Sequence, residues 1–399
     1  MKVLEGGGVT SPSGYLAAGI RTGVKESGGR DLALVYSTRP AHAAAVYTTN
    51  KVQGAPIAVD REHLADGRAR AVILNSGVAN VCNGDQGLEH ARRMCALTAS
   101  ELGLHTEEVL VCSTGLIGVP LPIDKIEAGI PRIAAALSPE GGAEAAAAIM
   151  TTDTVAKSCA VEVELESGGV VVGAMAKGAA MIAPDMATML SVVTTDAAVP
   201  QGQLQEMLSR AVRPTFNCVT VDGDMSTSDT VILMANGESP EERLGPRDSE
   251  RLYEGIEYAC RQMARAIAGD AEGSSKLIAI VVRGAASEVE ARRVGLSVAN
   301  SNLVKTAAFG NDPNWGRILC AMGYSGVDFD PDRARVSLCG TGIYADGSGL
   351  DFDAGKLSAD MDADEMAIEI DLAMGAASAQ IFTCDLTYEY VRLNAEYTT

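Results

Sequence analysis

This chain is short of several things, and each shortage closes a route. Aromatic residues make up 4% of its 399 residues, so its core must come from small and aliphatic side chains at close packing. Cations are outnumbered, 32 against 52 acidic residues, for a formal net charge of −20. That balance argues against nucleic acid, whose phosphates need Lys and Arg to displace counterions, and against anionic membrane surfaces. No apolar run approaches the roughly 18 residues of a membrane span. The first residues, "MKVLEGGGVTSPSGY", lack the basic-then-apolar layout of a signal peptide, so a cytoplasmic protein is expected. Histidine occurs four times, at 42, 63, 90 and 105, and never as H-E-x-x-H. Nine cysteines are scattered with no C-x-x-C pair, which excludes the usual disulfide and zinc patterns and leaves most of them as small buried hydrophobes. No G-x-S-x-G marks a hydrolase serine, and the Gly-rich "EGGGVTSPSG" has no G-K-[ST] after it.

What is present is mixed α and β, long enough for two domains. "DLALVYSTRPAHAAAVYTTN" reads as strand, turn, strand, and "RAVILNSG" as a buried strand. "GLEHARRMCALTASELGL" has helical spacing. "LSPEGGAEAAAAIM" predicts a helix capped by Ser138, with Pro139 at its first position. "ELESGGVVVGAMA" reads as two strands about a Gly turn. A helix over "QLQEMLSRAV", a strand over "TVILMANG" and a long helix over "SERLYEGIEYACRQMARAIAG" follow. "KLIAIVVRG" is a strand and "SEVEARRVGLSVANS" a helix, while "EMAIEIDLAMG" and "QIFTCDLTYEYVRL" alternate with period two. "ANGESPEERLGPRDSE" is either a linker or a surface loop. A border between a main domain, 1–280, and a smaller C-terminal one, 281–399, is expected where helices give way to strands.

Several polar clusters stand out. "CSTGLIGVP" puts Ser113, Thr114 and Gly115 at a strand end, where a backbone N–H and a hydroxyl can approach a ligand, or where the chain simply turns. "TTDT" at 151–154 fits a capping turn. "VTVDGDMSTSDT" holds three aspartates but not the order of a calcium loop, so a polar turn is the better reading than a metal site. "AGDAEGSSKL" ends the long helix. "FGNDPNWGR", with the only Trp, fits a packed turn. Strangest is "AKGAAMIAPDMATMLSV", Ala176–Val192, an apolar stretch holding one Lys, one Pro and a lone Thr188.

Together these segments identify a resemblance. "GGVTSPSGYLAAGI", "NSGVANVCNG", "STGLIGVPLP", "MTTDT", "KGAAMIAPDMATML", "FNCVTVDGDMSTSDT", "GDAEGSSKL", "LVKTAAFGNDPNWGRIL" and "CDLTYEYVRLNAEYTT" are similar, end to end, to the glutamate N-acetyltransferase (ornithine acetyltransferase) family of arginine biosynthesis. "KGAAM" departs from the family's K-G-[SA]-G-M and "GDAEG" from its G-D-G-E-G, but both keep the reactive or charged residues. The resemblance implies a layered α-β-β-α sandwich reminiscent of N-terminal-nucleophile hydrolases, with a smaller C-terminal α/β domain. It implies self-cleavage between Ala187 and Thr188, giving chains 1–187 and 188–399 that stay interwoven as an α2β2 tetramer. The Thr188 hydroxyl would attack the Ala187 carbonyl. The α-amino group so freed titrates near ~8 and can serve as the base for its own hydroxyl.

The implied reaction is ping-pong acetyl transfer from N2-acetylornithine to glutamate through acetyl-Thr188. Acetyl-CoA enters as a second donor only in bifunctional members, and no residue here separates the two kinds. By the same resemblance, Thr114 and Gly115 form the oxyanion hole, and Thr151, Lys177, Thr188, Glu272, Asn394 and Thr399 contact substrate. No metal or organic cofactor is implied. Two alternatives differ in class. A self-processing amidase or aminopeptidase would pass the acyl group to water, and an unprocessed amino-acid-binding protein would keep Thr188 in its core.

Overall fold

Apolar runs such as "AVILN" cannot sit on a surface sheet; buried on both faces, they need a layer on each side. In the computed structural model, which describes residues 1–166, 168–183, 189–238 and 244–396, they have one. In chain order the first half gives β1 (Lys2–Val3), β2 (Tyr15–Ile20), β3 (Leu32–Ser37), β4 (His42–Tyr47), α1 (Ala55–His63), β5 (Ala71–Val78), α2 (Gly84–Leu102), β6 (Val109–Leu116), α3 (Ile123–Ala135), α4 (Gly142–Ile149), β7 (Lys157–Leu165) and β8 (Gly168–Lys177). Then come β9 (Leu190–Thr195), α5 (Gln201–Val212), β10 (Thr230–Ala235), α6 (Pro246–Gly269), β11 (Leu277–Ala285), α7 (Glu288–Ala299), α8 (Asn302–Phe309) and α9 (Trp315–Gly323). The last are β12 (Arg335–Leu338), β13 (Thr341–Ala345), β14 (Ser348–Gly349), α10 (Ala354–Asp360), β15 (Glu365–Asp371), β16 (Ala377–Cys384) and α11 (Tyr388–Glu396).

Two sheets stack face to face. One has the order β1-β7-β8-β9-β10-β4, the other β2-β3-β5-β6. Tyr15, Val35 and Leu74 of the second meet Met175, Val192 and Ile232 of the first in a shared core. Outside the first sheet, Leu204 of α5 and Leu252 and Ile256 of α6 cover Val172 and Val231. Outside the second, Val59 of α1, Met94 of α2 and Ile126 of α3 cover Leu34 and Ile73. The layering is therefore α-β-β-α, as the resemblance implied. The strand–turn–strand reading of residues 31–50 holds, but the two strands join different sheets: β3 pairs with β2 and β5, whereas β4 pairs with β10.

The first sheet has a property that matters for function. β8 ends at Lys177 and pairs antiparallel with β9, so Lys177 lies opposite Leu190. β9 pairs with β10, and β10 with β4. The two strands from after position 188, β9 and β10, thus lie between β8 and β4 from before it in one hydrogen-bonded sheet, and a chain cut between them would hold together without the peptide bond.

A third sheet, β14-β13-β12-β15-β11-β16, carries α7, α8 and α9 on one face through Val294, Val298, Val304 and Ile318. Its strands alternate: Ile278, Ile280 and Val282 of β11 face those helices, while Leu277 and Ala279 join the core against α6. The border expected at 280/281 falls inside β11, because the new sheet begins at Leu277. No described helix is long and apolar enough to cross a membrane.

Two local expectations need correction. The helix foreseen from Ser138 starts at Gly142. Ser138 exchanges both backbone hydrogen bonds with Ala17 of β2, at 2.9 and 3.0 Å, so its backbone serves the sheet. The period-two reading of "QIFTCDLTYEYVRL" holds only to Cys384; Tyr388–Glu396 is helix α11. Asp385 ends the strand by taking the N–H groups of Ser275 (2.8 Å) and Lys276 (3.2 Å), and the Thr387 hydroxyl accepts from Tyr390 N (3.1 Å) in the first turn. The motif "NAEYTT" therefore begins inside helix α11, with Asn394–Glu396, and does not follow a strand. All nine cysteines are free thiols, and five of them are buried. The segment 239–243 of the charged connection between β10 and α6 lies outside the described residues.

Alanine-rich α4 packs so close to β2 that a β carbon on Gly19 would lie 2.0 Å from the Glu144 carbonyl oxygen. Gly19→Ala is expected to destabilise the fold by about 1–3 kcal/mol through overpacking, read as a lower thermal midpoint, whereas the control Gly202→Ala, in the first turn of α5 where nothing lies within 4 Å, is expected not to lower it.

Candidate active site

The strand end "CSTG" is not an ordinary turn. β6 runs parallel to β5 with an irregularity at Gly77 and Val78, and Gly115 sits against it at φ +125°. A β carbon at 115 would lie 2.3 Å from the Gly77 carbonyl carbon and 2.7 Å from Val78 N. Only glycine fits. Beneath it, the Ser113 hydroxyl donates to Asn75 Oδ1 (2.6 Å), and Asn75 Nδ2 donates to the Val78 carbonyl (2.9 Å). Buried polar side chains thus hold the bulge from below.

Lys177, at the end of β8, reaches this strand. Its Nζ donates to Thr114 Oγ1 at 3.3 Å, and both residues are buried, at 2% and 3% exposure. Burial pushes the Lys177 ammonium below its ordinary range; Asp153 pulls it back up, Lys157 lowers it, and Asp229 and Glu272 also support the charge.

Asp153 organises the region, and sequence reasoning passed it over as part of a capping turn. Its Oδ2 accepts from Thr151 N (2.9 Å), and its Oδ1 from Gly178 N (2.7 Å) and Lys157 Nζ (2.7 Å). Burial raises its pKa, but Lys177, Lys157 and the Gly178 N–H outweigh burial and hold it at about 2. Lys157 also reaches Asp270 Oδ2 at 2.5 Å, at the end of α6. Removing one member of a buried pair costs about 3–5 kcal/mol, so this network fixes Thr151 and the exit of β8. The available signal was an Asp and a Lys four residues apart, 153 and 157, in a stretch without helical pattern.

Glu272 and Asn394, separated by 122 positions, meet: Asn394 Nδ2 donates to Glu272 Oε2 at 3.3 Å. Burial raises the Glu272 pKa, opposed by that hydrogen bond; Asp222 raises it further and Lys177 lowers it. Helix α11 can approach because Gly273, at φ +65°, has no side chain; a β carbon there would lie 2.5 Å from Tyr390 N.

Ala187, Thr188 and Thr399 lie outside the described residues. Both flanks of the segment 184–188 are described, and they are tightly held. Asp222 accepts from Met181 N (2.7 Å) and Ile182 N (2.8 Å), and the Ile182 carbonyl accepts from Val221 N (2.9 Å). On the other side, Asp229 Oδ1 accepts from Met189 N (2.8 Å), and the Met189 carbonyl from Thr230 N (3.1 Å). The Glu272 N–H binds the Ala179 carbonyl at 2.8 Å. "VTVDGDMSTSDT" therefore is a polar turn as expected, but two of its aspartates hold the described residues on either side of 184–188. Asp229 is fully buried, and burial pushes its pKa well above the carboxylate range against the Met189 N–H bond and Lys177. Among the described residues no cluster of three or more His, Cys, Asp or Glu could hold a metal.

Thus Thr114, Lys177, Thr151 and, through charge, Glu272 with Asn394 converge on one place, beside the clamped segment. A cavity of about 1360 Å³ elsewhere, lined by Arg210, Arg213, Arg261, Arg283 and Arg292, includes none of them.

An α-β-β-α sandwich with a buried cation beside a glycine-forced strand end is an enzyme architecture built around one held segment. The ArgJ family model matches residues 16–399, and the chain belongs to the ArgJ family. The arginine biosynthesis bifunctional protein ArgJ of Symbiobacterium thermophilum is 46% identical over 397 residues, covering 98% of this chain and 99% of that one. The protein of the same name from Caldanaerobacter subterraneus subsp. tengcongensis is 44% identical over 405 residues, covering both chains completely. In the crystal structure of the arginine biosynthesis bifunctional protein from Bacillus halodurans, a chain 40% identical is covered over 100% of its length by 53% of this chain, with a TM-score of 0.51.

Gly115→Ala is expected to destabilise the protein by about 1–3 kcal/mol through overpacking, read as a lower thermal midpoint by circular dichroism with the secondary structure kept, since the clash is confined to the Gly77–Val78 bulge.

Proposed function

We propose that this chain catalyses acetyl transfer from N2-acetylornithine to glutamate in arginine biosynthesis, through an ester on Thr188 after self-cleavage between Ala187 and Thr188. The observation that carries the reading is the convergence of Thr114, Lys177, Thr151 and Glu272–Asn394 beside the clamped segment 184–188, in a chain of the ArgJ family.

Cleavage comes first. An ordinary peptide carbonyl resists attack, so the attacking hydroxyl must be held close for the step to become effectively unimolecular. Asp222 and Asp229 fix the backbone on either side of the segment. The Thr188 Oγ attacks the Ala187 carbonyl, the acyl group shifts from nitrogen to oxygen, and water opens the ester. The interleaved sheet keeps the fragments together. One further number supports the split: the Bacillus halodurans chain is matched along its whole length by 53% of this chain, and residues 188–399 are 212 of 399.

Transfer follows. The Thr188 α-amine takes the proton from Oγ as Oγ attacks the acetyl carbonyl of N-acetylornithine. The C–N bond breaks, the proton passes to the leaving nitrogen, and ornithine departs. Glutamate's amine then attacks the acetyl ester, the amine loses its proton to the same base, and Oγ is released as hydroxyl. Each step passes through an oxyanion, for which the Thr114 hydroxyl and Gly115 N–H are the donors. Lys177 supplies the positive charge that an α-carboxylate needs in so acidic a protein, and Glu272 complements the ornithine ammonium. Asn394 and Thr399 would be further substrate contacts. The relatives are called bifunctional, and acetyl-CoA as a second acetyl donor would be the other activity. Two of each fragment would form an α2β2 assembly.

The test is a denaturing gel beside two assays. Two bands, of 187 and 212 residues, are expected, with acetylation of glutamate by N-acetylornithine far faster than hydrolysis. Thr188→Ala is expected to give one band and no transfer. Release of acetate without N-acetylglutamate would favour the amidase alternative, and one band from fully active protein would contradict the proposal.

A further inference from the structure

The contact between Lys177 and Thr114 is unexplained by carboxylate binding. Lys177 is buried, and among the described residues its ammonium's one hydrogen bond is to Thr114 Oγ1, 3.3 Å away. A hydroxyl has one proton and two lone pairs. When it accepts from an ammonium, its own proton is free to be donated, and the cation strengthens that donation. Thr114 is followed by Gly115, whose backbone is forced open by the β5–β6 bulge. Behind the lysine, Asp153 holds Gly178, the next residue, at 2.7 Å, and fixes Lys157 on the adjacent strand at the same distance.

We propose that Lys177 acts through Thr114: the ammonium polarises the Thr114 hydroxyl and makes it the stronger donor of the oxyanion hole, with Asp153 maintaining the charge. The idea deepens the acetyl-transfer reading and rests on it. It gives Lys177 a role in any acyl transfer at this site, whether or not the acyl donor carries a carboxylate. An ammonium has three protons, so one given to Thr114 leaves two for a substrate.

The charged groups about Lys177 come from every neighbouring element. They are Lys25 between β2 and β3, itself held down to about 8 chiefly by burial, Asp153 on the turn before β7, Lys157 on β7, Asp229 before β10 and Glu272 after α6. Asp153 is the foremost of those that favour the ammonium, so its loss moves the lysine's titration to lower pH.

The experiment is single-turnover acylation of the matured protein by p-nitrophenyl acetate, which has neither carboxylate nor ammonium. Lys177→Met is expected to slow it about 10²-fold, the usual loss of one oxyanion donor. Thr114→Val should slow it comparably, and the double variant should be little worse than the slower single one. A Lys177→Met protein that reacts normally with p-nitrophenyl acetate but has a raised KM for N-acetylornithine overturns the proposal. So do losses that multiply in the double variant. Should Lys177→Met fail to mature, Asp153→Asn tests the same link with the lysine in place. The alkaline limb of its acylation profile is expected at lower pH than in the wild type, and an unmoved limb contradicts the proposal. Wild-type protein that accepts p-nitrophenyl acetate but never N-acetylornithine would instead contradict the acetyl-transfer reading.

Discussion

The pairing of β8 with β9 is the constraint on which the rest depends. It places Lys177 opposite Leu190 and closes the residues between them into a loop. Three aspartates then hold that loop at its described ends: Asp153 at Gly178, Asp222 at Met181 and Ile182, and Asp229 at Met189. Hydrogen bonds from backbone N–H groups are directional, and in a buried setting they are stronger than in water. The described ends of the loop are consequently fixed by the sheet and by aspartates contributed from other elements, rather than by the loop's own sequence, which is apolar and small.

The acidity of the chain has a local counterpart. Lys157 and Lys177 are buried among Asp153, Asp270, Asp229 and Glu272. Neither cation would be tolerated alone in such a place. Asp153 stays ionised because both lysines face it, whereas burial raises Asp229 and Glu272. Carboxylates of similar intrinsic acidity are thereby driven apart, which is what a site handling an ammonium, a carboxylate and a transient oxyanion requires.

Much of this was legible in the chain. Long apolar runs announced β5, β8 and β10, and helical spacing announced α2 and α6. The similarity of whole motifs pointed to the family and to the layered fold. What escaped was non-local. Residues 31–50 look like a hairpin, yet the demand of two facing sheets sends β3 and β4 to different ones. Ser138 has the chemistry of a helix cap, but its backbone is taken by Ala17. Tyr388–Glu396 alternates well enough for a strand, and only Asp385 and Thr387, tied to residues 273–276, turn it into a helix. Asp153, Asp222 and Asp229 each resemble turn residues locally. Their work is to hold backbone far along the chain, and spacing alone carries no record of that.

The central claim is that Thr188 becomes a chain terminus and carries the acetyl group. Mass spectrometry of protein quenched in acid after N-acetylornithine is added tests it most directly. The account predicts one acetyl group on the fragment beginning at residue 188, attached to that residue and lost when glutamate is supplied. An acetyl group on the other fragment, or full activity from an uncut chain, would contradict it.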